Sequence, residues 1–402
     1  MNRRHFIRVV GQSSIAAATV GVSACAAPSG FPAASVEAWQ GPTTGETEPR
    51  RRALAYAITA PNPHNLQPWL VDLSEPNVIS LLTDPDRVLP ETDPFGRQIL
   101  IGHGAFLELM VIALAEQGFA AQVTLWPQGE LAAQIVGWSN AAGLKRPIAR
   151  ITLAPGGVKD PLFAQILKRH TPKSDYDPAR SVSAANVDLL LKSVRDGGNN
   201  FGVLAAGTAE TSRLPALRLL AEQSAIVEIS TPRTMLESIK LLRVGPEEIL
   251  ANRDGIPITN SFVRALSAVG LFDRSTAPAP GSTGYKNALA RFEGHSRTAM
   301  GFVWLSTPGN TRSQQIATGR AYVRLQLTGT EIGLGVHPLS QPLQEFAEMK
   351  PFVEQAHKLL IGKSAPRTPL DETVQMFCRL GYTPKPIPAT PRRPVKVFIQ
   401  NI

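Results

Sequence analysis

The stretch between Ala60 and Trp69 limits the fold of this chain more than any other. Pro61, Pro63 and Pro68 lie within eight residues of one another, and each proline fixes φ and lacks a backbone donor, so the stretch cannot lie inside a helix. Polar side chains occupy the positions between the prolines: Asn62, His64, Asn65 and Gln67. Such a stiff turn is either a simple connector with capping amides or a rigid surface that recognises a planar polar ring. The residue types alone leave both interpretations open.

The pattern around this turn predicts an α+β fold. The elements predicted for the first half are a helix over 50–59, strands over 69–73 and 78–82, a long apolar helix over 98–117 and strands over 121–126 and 149–153. A hairpin followed by one helix and further strands indicates layers of helix and sheet, in contrast to repeated strand–helix–strand units. Gly102 and Gly104 inside the long helix indicate close packing against another element.

The second half shows a similar mixture of elements. The predicted helices cover 162–168, 186–194, 212–223, 233–243 and 313–330, and the predicted strands cover 201–205, 299–305 and 373–380. The almost continuously apolar run 299–305 is typical of a central buried strand. Asn310 or Thr311 is expected to cap the helix that follows it.

A basic segment follows the predicted helix at 162–168. Arg169, Thr171 and Lys173 alternate in a stretch stiffened by Pro172, so their side chains should project from one side. Two cations and a hydroxyl group in this arrangement suit a phosphate with an adjoining polyol. The alternative is a solvated basic helix end, stabilised by the helix dipole.

Two further segments carry candidate binding groups. The helix over 313–330 ends in a glycine-rich stretch that leads to His337, Pro338, Leu339 and Ser340, where glycine allows a close backbone approach. His337 could donate a proton, but no partner stands at the spacing of a metal site. At the C-terminus no acidic residue follows Glu372, so Arg392 and Arg393 have no local counter-ion. A plain basic tail is the alternative there.

The N-terminus has the features of an export signal. Arg3 and Arg4 precede a short Ala/Val-rich stretch and the sequence Val-Ser-Ala-Cys ending at Cys25. Residues 1–25 resemble a twin-arginine signal with a lipoprotein cleavage site, although an ordinary cleavage site with an incidental cysteine is the alternative. The segment 26–48 is predicted to be a flexible tether. We therefore expect export to the periplasm, with membrane attachment through lipidated Cys25.

Composition excludes several classes of function. The formal charge of +9 falls to +6 once Arg3, Arg4 and Arg8 leave with the signal, which favours anionic ligands. The basic residues show no aromatic-interleaved stripe and no zinc spacing, so we expect no nucleic-acid partner and no metal. Cys378 is the one cysteine besides Cys25, and its apolar neighbours predict a buried small side chain and no disulfide framework.

These segments together resemble the FMN-dependent nitroreductase family, and most closely its Acg-like branch. Residues 61–69 are similar to the family's loop "P-S-x-x-N-x-Q-P-W", residues 169–173 to its element "R-x-S-x-R/K", and the C-terminus to an ending "P-R-R-P". The resemblance implies one FMN per chain, with the following contact residues: Pro61, Asn62, Pro63, Asn65, Gln67, Arg169, Thr171, Lys173, Pro338, Leu339, Ser340, Arg392 and Arg393. It does not say which of the two arginines points inward. Asn62 and Pro63 stand where the family usually has serine.

The resemblance also implies an architecture. Nitroreductases are usually homodimers with a mixed or antiparallel sheet flanked by helices, and each flavin lies between subunits. Here the loop and the phosphate element fall in different halves of one chain, so we expect two fused nitroreductase-like halves, 49–155 and 156–402, that form a monomeric pseudo-dimer. Residues 245–295 are expected to cover the flavin as a lid, with 254–257 as part of it.

The expected function follows from the flavin. We expect an oxidoreductase that reduces nitroaromatic, quinone-like or other conjugated acceptors through flavin N5 in a ping-pong scheme, with no catalytic side chain required. NAD(P)H or a quinol would be the donor. The alternative is an exported protein that binds and sequesters FMN without turnover.

Overall fold

The computed structural model describes residues 30–132, 146–195 and 201–400. The predicted signal over 1–25, with Cys25, lies outside these residues. The strands are β1 (Trp69–Asp72), β2 (Val78–Thr83), β3 (Phe119–Leu125), β4 (Ala149–Pro155), β5 (Leu204–Thr208), β6 (Leu242–Val244), β7 (Ile256–Ile258), β8 (Gly301–Thr307), β9 (Gly335–Pro338), β10 (Thr373–Gly381) and β11 (Ile399–Gln400). The α-helices are α1 (Pro49–Ala57), α2 (Arg97–Glu116), α3 (Ala184–Arg195), α4 (Leu214–Ser230), α5 (Pro232–Lys240), α6 (Gly245–Asn252), α7 (Ser261–Ala268), α8 (Thr283–Arg297), α9 (Arg312–Glu331) and α10 (Lys350–Ile361). The α+β prediction is confirmed.

The first half forms one sheet against α2. Its strands are ordered β1–β2–β4–β3 with antiparallel pairing, and β11 from the C-terminus adds to β1 in parallel. Trp69 and Val71 alternate with half-exposed neighbours along β1, so one face of the strand is buried. Glu48 accepts the backbone N–H of Arg51 at the start of α1, where Pro49 needs no N–H partner. The helices and strands predicted for this half are therefore present.

The second half forms a separate antiparallel sheet in the order β5–β8–β10–β9. Every residue of β8 and β10 is buried, as the apolar run at 299–305 predicts for a central strand. Thr311 and Gln314 form a capping box at the start of α9, which confirms the predicted cap. Residues 161–168 are helical as predicted, with 3-10 geometry.

The two halves repeat one topology. The elements β2, α2, β3 and β4 follow one another in the first half, as β8, α9, β9 and β10 do in the second. In each sheet the last of these strands lies between the other two, and all of these pairings are antiparallel. Helices α2 and α9 contain 20 residues each. The chain is thus built from two copies of the same strand–helix–strand–strand unit.

The long helices of the two units cross with their backbones in contact. A Cβ atom on Gly319 of α9 would lie 1.9 Å from the carbonyl oxygen of Ile101, and one on Gly104 of α2 would lie 2.1 Å from that of Ile316. No side chain fits in this space, so both positions require glycine. This contact confirms the close packing expected from Gly104.

An ion-pair network fastens the same two helices. Glu108 of α2 is fully buried and accepts hydrogen bonds from Arg320 Nε at 2.7 Å and Arg324 Nε at 2.6 Å, both on α9. Asp160, which belongs to neither helix, forms a further ion pair with Arg324. In the described part of the chain, α2 alone is long and apolar enough to cross a membrane, and 83% of its most apolar window is buried inside the protein. That burial is typical of a core helix.

Residues 242–297, which we name the cover, contain the β6–β7 pair and helices α6, α7 and α8, and they contact the first half at Arg87 and Asn65. The predicted helix at 233–243 ends at Lys240, because residues 242–244 pair in parallel with β7 and become strand β6. Asp254, in the loop before β7, forms ion pairs with Arg243 and with Arg87 of the first half. Its neighbour Gly255 donates its N–H to the carbonyl of Asn65 at 3.2 Å. The cover is thereby attached to the proline-rich turn.

Candidate functional site

Arg169 is a buried cation at the boundary of the two halves. It follows the 3-10 helix over 161–168, and its side chain is 2% exposed. The guanidinium donates to Gln326 of α9 at 2.6 Å, to the hydroxyl of Thr171 at 3.1 Å and to the carbonyl of Thr59 at 2.9 Å. Its Nε–H is buried without a partner. Burial lowers the pKa of Arg169 to about 10.

Arg392 is a second buried cation at the same place. Its Nη2 donates to the carbonyl of Thr59 at 3.1 Å, so this one carbonyl accepts from both arginines. Its Nε donates to the carbonyl of Ile58, and its Nη1 donates to the side-chain oxygen of Asn65. Burial, followed by the charge of Arg169, holds the pKa of Arg392 well below its usual value. Among the described residues, neither guanidinium has a carboxylate partner.

Trp39 covers both arginines. Its ring lies 5.6 Å from the guanidinium carbon of Arg169 and 5.2 Å from that of Arg392, and its Nε1–H donates to the carbonyl of Thr390 at 2.7 Å. The segment that carries it, predicted to be a flexible tether, instead forms short 3-10 helices at Ala33–Ser35 and Glu37–Gln40. The order arises because Trp39 stacks on the cations and because Arg392 donates its N–H to the carbonyl of Ser35.

The proline-rich turn is rigid and holds Arg392 in place. His64, Asn65 and Gln67 all have positive φ, between 48° and 56°, a conformation that few residues other than glycine and asparagine adopt without cost. The Asn65 amide accepts from Arg392 and donates to the carbonyl of Pro391 at 3.0 Å. The predicted polar surface is present, but this amide is bound to the C-terminal segment.

Gln67 has a similar holding role. Its side chain donates to the carbonyl of Arg253 in the cover at 2.9 Å and accepts the N–H of Arg393 at 2.9 Å. Asn62 accepts the N–H of Gln67 at 2.8 Å and donates to the carbonyl of Ala60. The side-chain amides of the turn therefore connect the first half, the cover and the C-terminus.

The two C-terminal arginines point to different places. Arg392 turns toward Arg169, whereas Arg393 donates to the carbonyl of Gln67 at 2.6 Å and stacks on Phe398, with 4.6 Å from its guanidinium carbon to the ring. The sequence left this choice open. The structure brings Arg392, and not Arg393, to the buried pair.

Lys173 lies beyond the arginine pair, toward the cover. Its side chain is accessible to water yet surrounded by protein, and desolvation together with the charges of Arg291 and Arg392 lowers its pKa to about 8. Burial, followed by the charge of nearby Lys173, lowers the pKa of the His64 imidazole to about 4. The imidazole of His64 also bonds Ser238 of α5 at 3.1 Å. Lys173 therefore lies between the turn and the cover.

The segment after α9 forms β9, which pairs with β10, and no hydrogen bond joins Pro338, Leu339 or Ser340 to the arginine pair among the described residues. Pro338 pairs with Cys378, and the N–H of Leu339 donates to the carbonyl of Phe377 at 2.8 Å. The Leu339 side chain is 2% exposed and packs in the apolar core of the second half, while Ser340 is half-buried. Cys378 is buried as predicted, and burial raises the pKa of its thiol.

Four residues near the site were not among the sequence candidates. Trp39 lies in a Pro/Ala/Ser-rich stretch with no periodic pattern, and Arg291, His295 and Arg379 belong to an ordinary helix and a buried strand. Of these four residues, only the two arginines could have been indicated by sequence, through a surplus of arginine over nearby acidic residues. Their convergence depends on how the cover docks, which one sequence does not show.

Comparison with known proteins shows which proteins this chain is similar to. No protein-family model matches it. It is 25% identical over 359 residues to the Mycobacterium tuberculosis protein named "Putative NAD(P)H nitroreductase Rv3131". This match spans 88% of this chain and 92% of that protein. It is 26% identical over 363 residues to "Putative NAD(P)H nitroreductase acg" of the same organism, over 87% of this chain and 94% of that protein.

Solved structures give weaker likenesses. The crystal structure of the FMN and NADPH-dependent nitroreductase NfnB from a Sphigopyxis strain matches 60% of this chain and 97% of that one, at 14% identity and a TM-score of 0.36. An FMN-bound nitroreductase from Bacteroides fragilis matches 56% of this chain and 89% of that one, with a TM-score of 0.30. TM-scores this low do not establish a common fold, so the relationship rests on the two sequence relatives. Over almost nine-tenths of its length, the chain is therefore similar to proteins named as NAD(P)H nitroreductases, one of them acg.

Proposed function

We propose that this protein is an FMN-dependent oxidoreductase that binds one FMN between its two halves. The observation that carries the proposal is the pair of buried guanidiniums, Arg169 and Arg392, which share the carbonyl of Thr59 and have no carboxylate partner in the described part of the chain. Burying two like charges is costly unless an anion compensates them. A phosphate monoester, with a charge of about −1.5 to −2, would balance both.

The side chains present fit this phosphate. The Nε–H of Arg169 is a buried donor without an acceptor, and the Thr171 hydroxyl, which accepts from Arg169, retains its own proton for donation. Trp39 closes the outer side of the pair. Arg392 would act mainly through its charge, because its donors are already bonded to backbone carbonyls and to Asn65.

The proposed binding mode assigns a task to each neighbouring segment. When bound, FMN would supply the two-electron chemistry that no side chain provides. Lys173, which lies beyond the arginine pair, would place a cation at the pyrimidine end of the ring. The turn at 61–67 would form one wall, and Pro338, Leu339 and Ser340 would approach from β9. Asn65 and Gln67 are positioning residues, since they fix Arg392 and the C-terminal segment.

The substrates follow from the relatives and from the site. The M. tuberculosis relatives are named as NAD(P)H nitroreductases, which supports a nicotinamide donor and a nitroaromatic, quinone-like or other conjugated acceptor here. The attachment of Asp254 and Gly255 to the turn and to Arg87 supports the second candidate, a protein that holds FMN under a closed cover without turnover.

We also propose that the two repeated units, taken as 49–155 and 156–402, are a fused pseudo-dimer and that the chain is exported. The shared strand order and the crossing of α2 and α9 support the fusion. The twin arginines and Cys25 support twin-arginine export and lipid anchoring in the periplasm. Cys25→Ser should move the protein from the membrane fraction to the soluble fraction, and an unchanged membrane fraction would argue against lipidation.

The absorbance spectrum of the purified protein tests the proposed function. We expect yellow protein whose flavin band bleaches under anaerobic conditions on addition of NADH or NADPH and returns on addition of a nitroaromatic or quinone. A yellow protein that no nicotinamide or quinol bleaches would instead support sequestration. A colourless protein that takes up no FMN would reject both candidates.

A further inference from the structure

Helix α8 of the cover directs a second basic group toward the proposed site. Arg291 and His295 are four residues apart and so lie on one face of the helix. The Nε2 of His295 is 3.0 Å from the carbonyl of Lys173, which places this face against the segment that carries Lys173. A Cβ on Gly294 would lie 2.5 Å from Asp175, so the helix approaches that segment closely. Arg291 is exposed to water, but the protein packed around its guanidinium partly desolvates it and so lowers its pKa.

His337 presents a hydrogen-bond donor next to this face of α8, where its ring contacts that of His295. Arg379 donates its Nε–H to His337 Nδ1 at 2.9 Å, so in the neutral ring the proton must lie on Nε2. The ring meets that of His295 edge-on, with 5.1 Å between centroids. Burial, followed by the charge of Arg379, holds the pKa of His337 well below its usual value, which keeps the ring neutral. Within the described ranges nothing accepts the Nε2–H.

FMN alone would not balance the charge that converges here. The phosphate of FMN, at about −1.5 to −2, would compensate Arg169 and Arg392. Lys173 would compensate the negative charge of the reduced flavin ring. These three cations and their anions cancel approximately.

Two cations remain beyond that balance. Burial lowers the pKa of Arg379 to about 10, and the negative charge of nearby Asp175 offsets part of that shift. The Arg379 guanidinium also donates to the carbonyls of Ser174 and His295. Arg291 forms no ion pair and no side-chain hydrogen bond among the described residues. One accessible guanidinium is therefore left without a counter-ion, next to a neutral N–H donor.

We propose that Arg291, together with the Nε2–H of His337, binds an anionic group of the acceptor, so that the preferred substrates are conjugated acceptors carrying a carboxylate. This inference rests on the proposed function and specifies its substrate class. A guanidinium presents paired donors that match the two oxygens of a carboxylate, and the histidine adds a third donor without adding charge. Arg291 lies on the cover, so an anionic acceptor would also hold the cover in place.

Two ligands, an acid and its uncharged methyl ester, test the proposal. We would titrate the oxidised, FMN-loaded protein with 4-nitrobenzoate and with its methyl ester, follow the flavin absorbance, and measure the steady-state KM for both. Wild-type protein should bind the acid more tightly than the ester. Arg291→Gln should lower this preference by roughly 10-fold or more, the usual effect of losing a charge-assisted hydrogen bond, and Arg291→Lys should restore part of it.

Arg297→Gln is the matched control, because Arg297 is an exposed arginine on another face of the same helix. It should leave the ratio of the two dissociation constants unchanged. Flavin-loaded protein that binds acid and ester equally, or an Arg291→Gln variant with an unchanged ratio, would overturn this inference alone. Protein that cannot take up FMN would overturn the proposed function, and this inference with it.

Discussion

Single residues at this site combine charge and rigidity in an unusual way. Arg169 and Arg392 are almost fully buried and lie close enough to share one carbonyl acceptor. Backbone carbonyls solvate the guanidiniums but bring no negative charge, so the pair remains electrostatically unfavourable without an anion. The positive φ of His64 and Gln67, on either side of Asn65, shows that the turn accepts backbone strain where it directs the Asn65 amide at Arg392.

Replacement of Arg392 tests whether this pair binds the phosphate. We expect Arg392→Gln to weaken FMN binding by about 10- to 100-fold, because one charged partner of the phosphate is lost while a polar side chain remains. Titration of apo-protein with FMN, followed by flavin fluorescence, measures the change. Lys385→Gln removes one charge from an exposed position in the same C-terminal segment and should leave the affinity within about twofold. Equal affinities in the two variants would mean that Arg392 stabilises the fold but does not bind the phosphate.

The same residues show how far the sequence could predict the site. Arg169 was identifiable from its alternation with Thr171 and Lys173, and Arg392 from the absence of acidic residues after Glu372. The prolines around 61–68 predicted a rigid turn. The partners of Asn65 and Gln67 were not predictable, since each is more than 180 residues away in the chain. Trp39 was missed because a single aromatic residue in an irregular segment has no periodic pattern, and Arg291 because its place depends on the docking of the cover.

At the scale of elements, the crossing of α2 and α9 fixes the relation between the two halves. Gly104 and Gly319 let the helix backbones touch, and the buried Glu108 joins them to Arg320 and Arg324. The sequence indicated the glycine contact but not its partner, since many helices could have met Gly104. The predicted helix at 233–243 was too long for a related reason, because the pairing of β6 with β7 overrides a local helical preference.

Substitution of Gly319 measures the importance of this crossing. We expect Gly319→Ala to destabilise the fold by about 1–3 kcal/mol or more, because the new Cβ would overlap the carbonyl of Ile101 and force the helices apart. Urea unfolding gives the free energy of unfolding. Gly284→Ala in α8, where the nearest atom would be 3.5 Å away, should be neutral or stabilising. A Gly319→Ala variant as stable as wild type would show that the helices cross less tightly.

Helix α4 carries a carboxyl group that should make stability depend on pH. Burial raises the pKa of Glu228 to about 7, and Gln344 donates to it at 3.0 Å. The folded state therefore holds this proton where the unfolded chain releases it, so the stabilisation is present below the unfolded pKa of about 4.5 and is lost as pH rises to about 7. The side-chain oxygens of Gln341 and Gln344 are buried without donors, which a protonated Glu228 could bond.

Glu228→Gln keeps the shape and supplies a permanent N–H donor in this position. We expect the variant to unfold at a higher temperature than wild type at pH 8 and at nearly the same temperature at pH 5, because the ionised carboxylate is then absent from both proteins. Thermal unfolding at the two pH values measures the difference. Glu248→Gln is the contrasting control, since hydrogen bonds from Arg274 and from the N–H of Val244 lower the pKa of Glu248, so this variant should lose stability at pH 8. A Glu228→Gln variant destabilised at pH 8 would contradict a raised pKa.

At the scale of the whole molecule, the repeat of two units does not extend to the charged segments. The strand–helix–strand–strand unit occurs in both halves, but within the second half Arg169 precedes β8 and Arg392 follows β10. After Arg392 the chain returns to the first sheet, where β11 pairs with β1 and Phe398 is fully buried. Among the described residues, the two-unit frame thus carries a single buried arginine pair.

This asymmetry predicts one FMN and one chain per particle. A homodimer of separate units would repeat every binding segment and hold two flavins, whereas here the turn, the Arg169 segment and Arg392 meet once among the described residues. We expect a flavin-to-protein ratio near one from the absorbance of FMN released on denaturation, and the mass of a monomer by sedimentation equilibrium. Arg392→Gln, loaded at saturating FMN, should reach the same ratio with weaker affinity, because the number of sites is set by the frame. A ratio near two would mean that the first half carries a second flavin site, and the fused pseudo-dimer with one site would then be wrong.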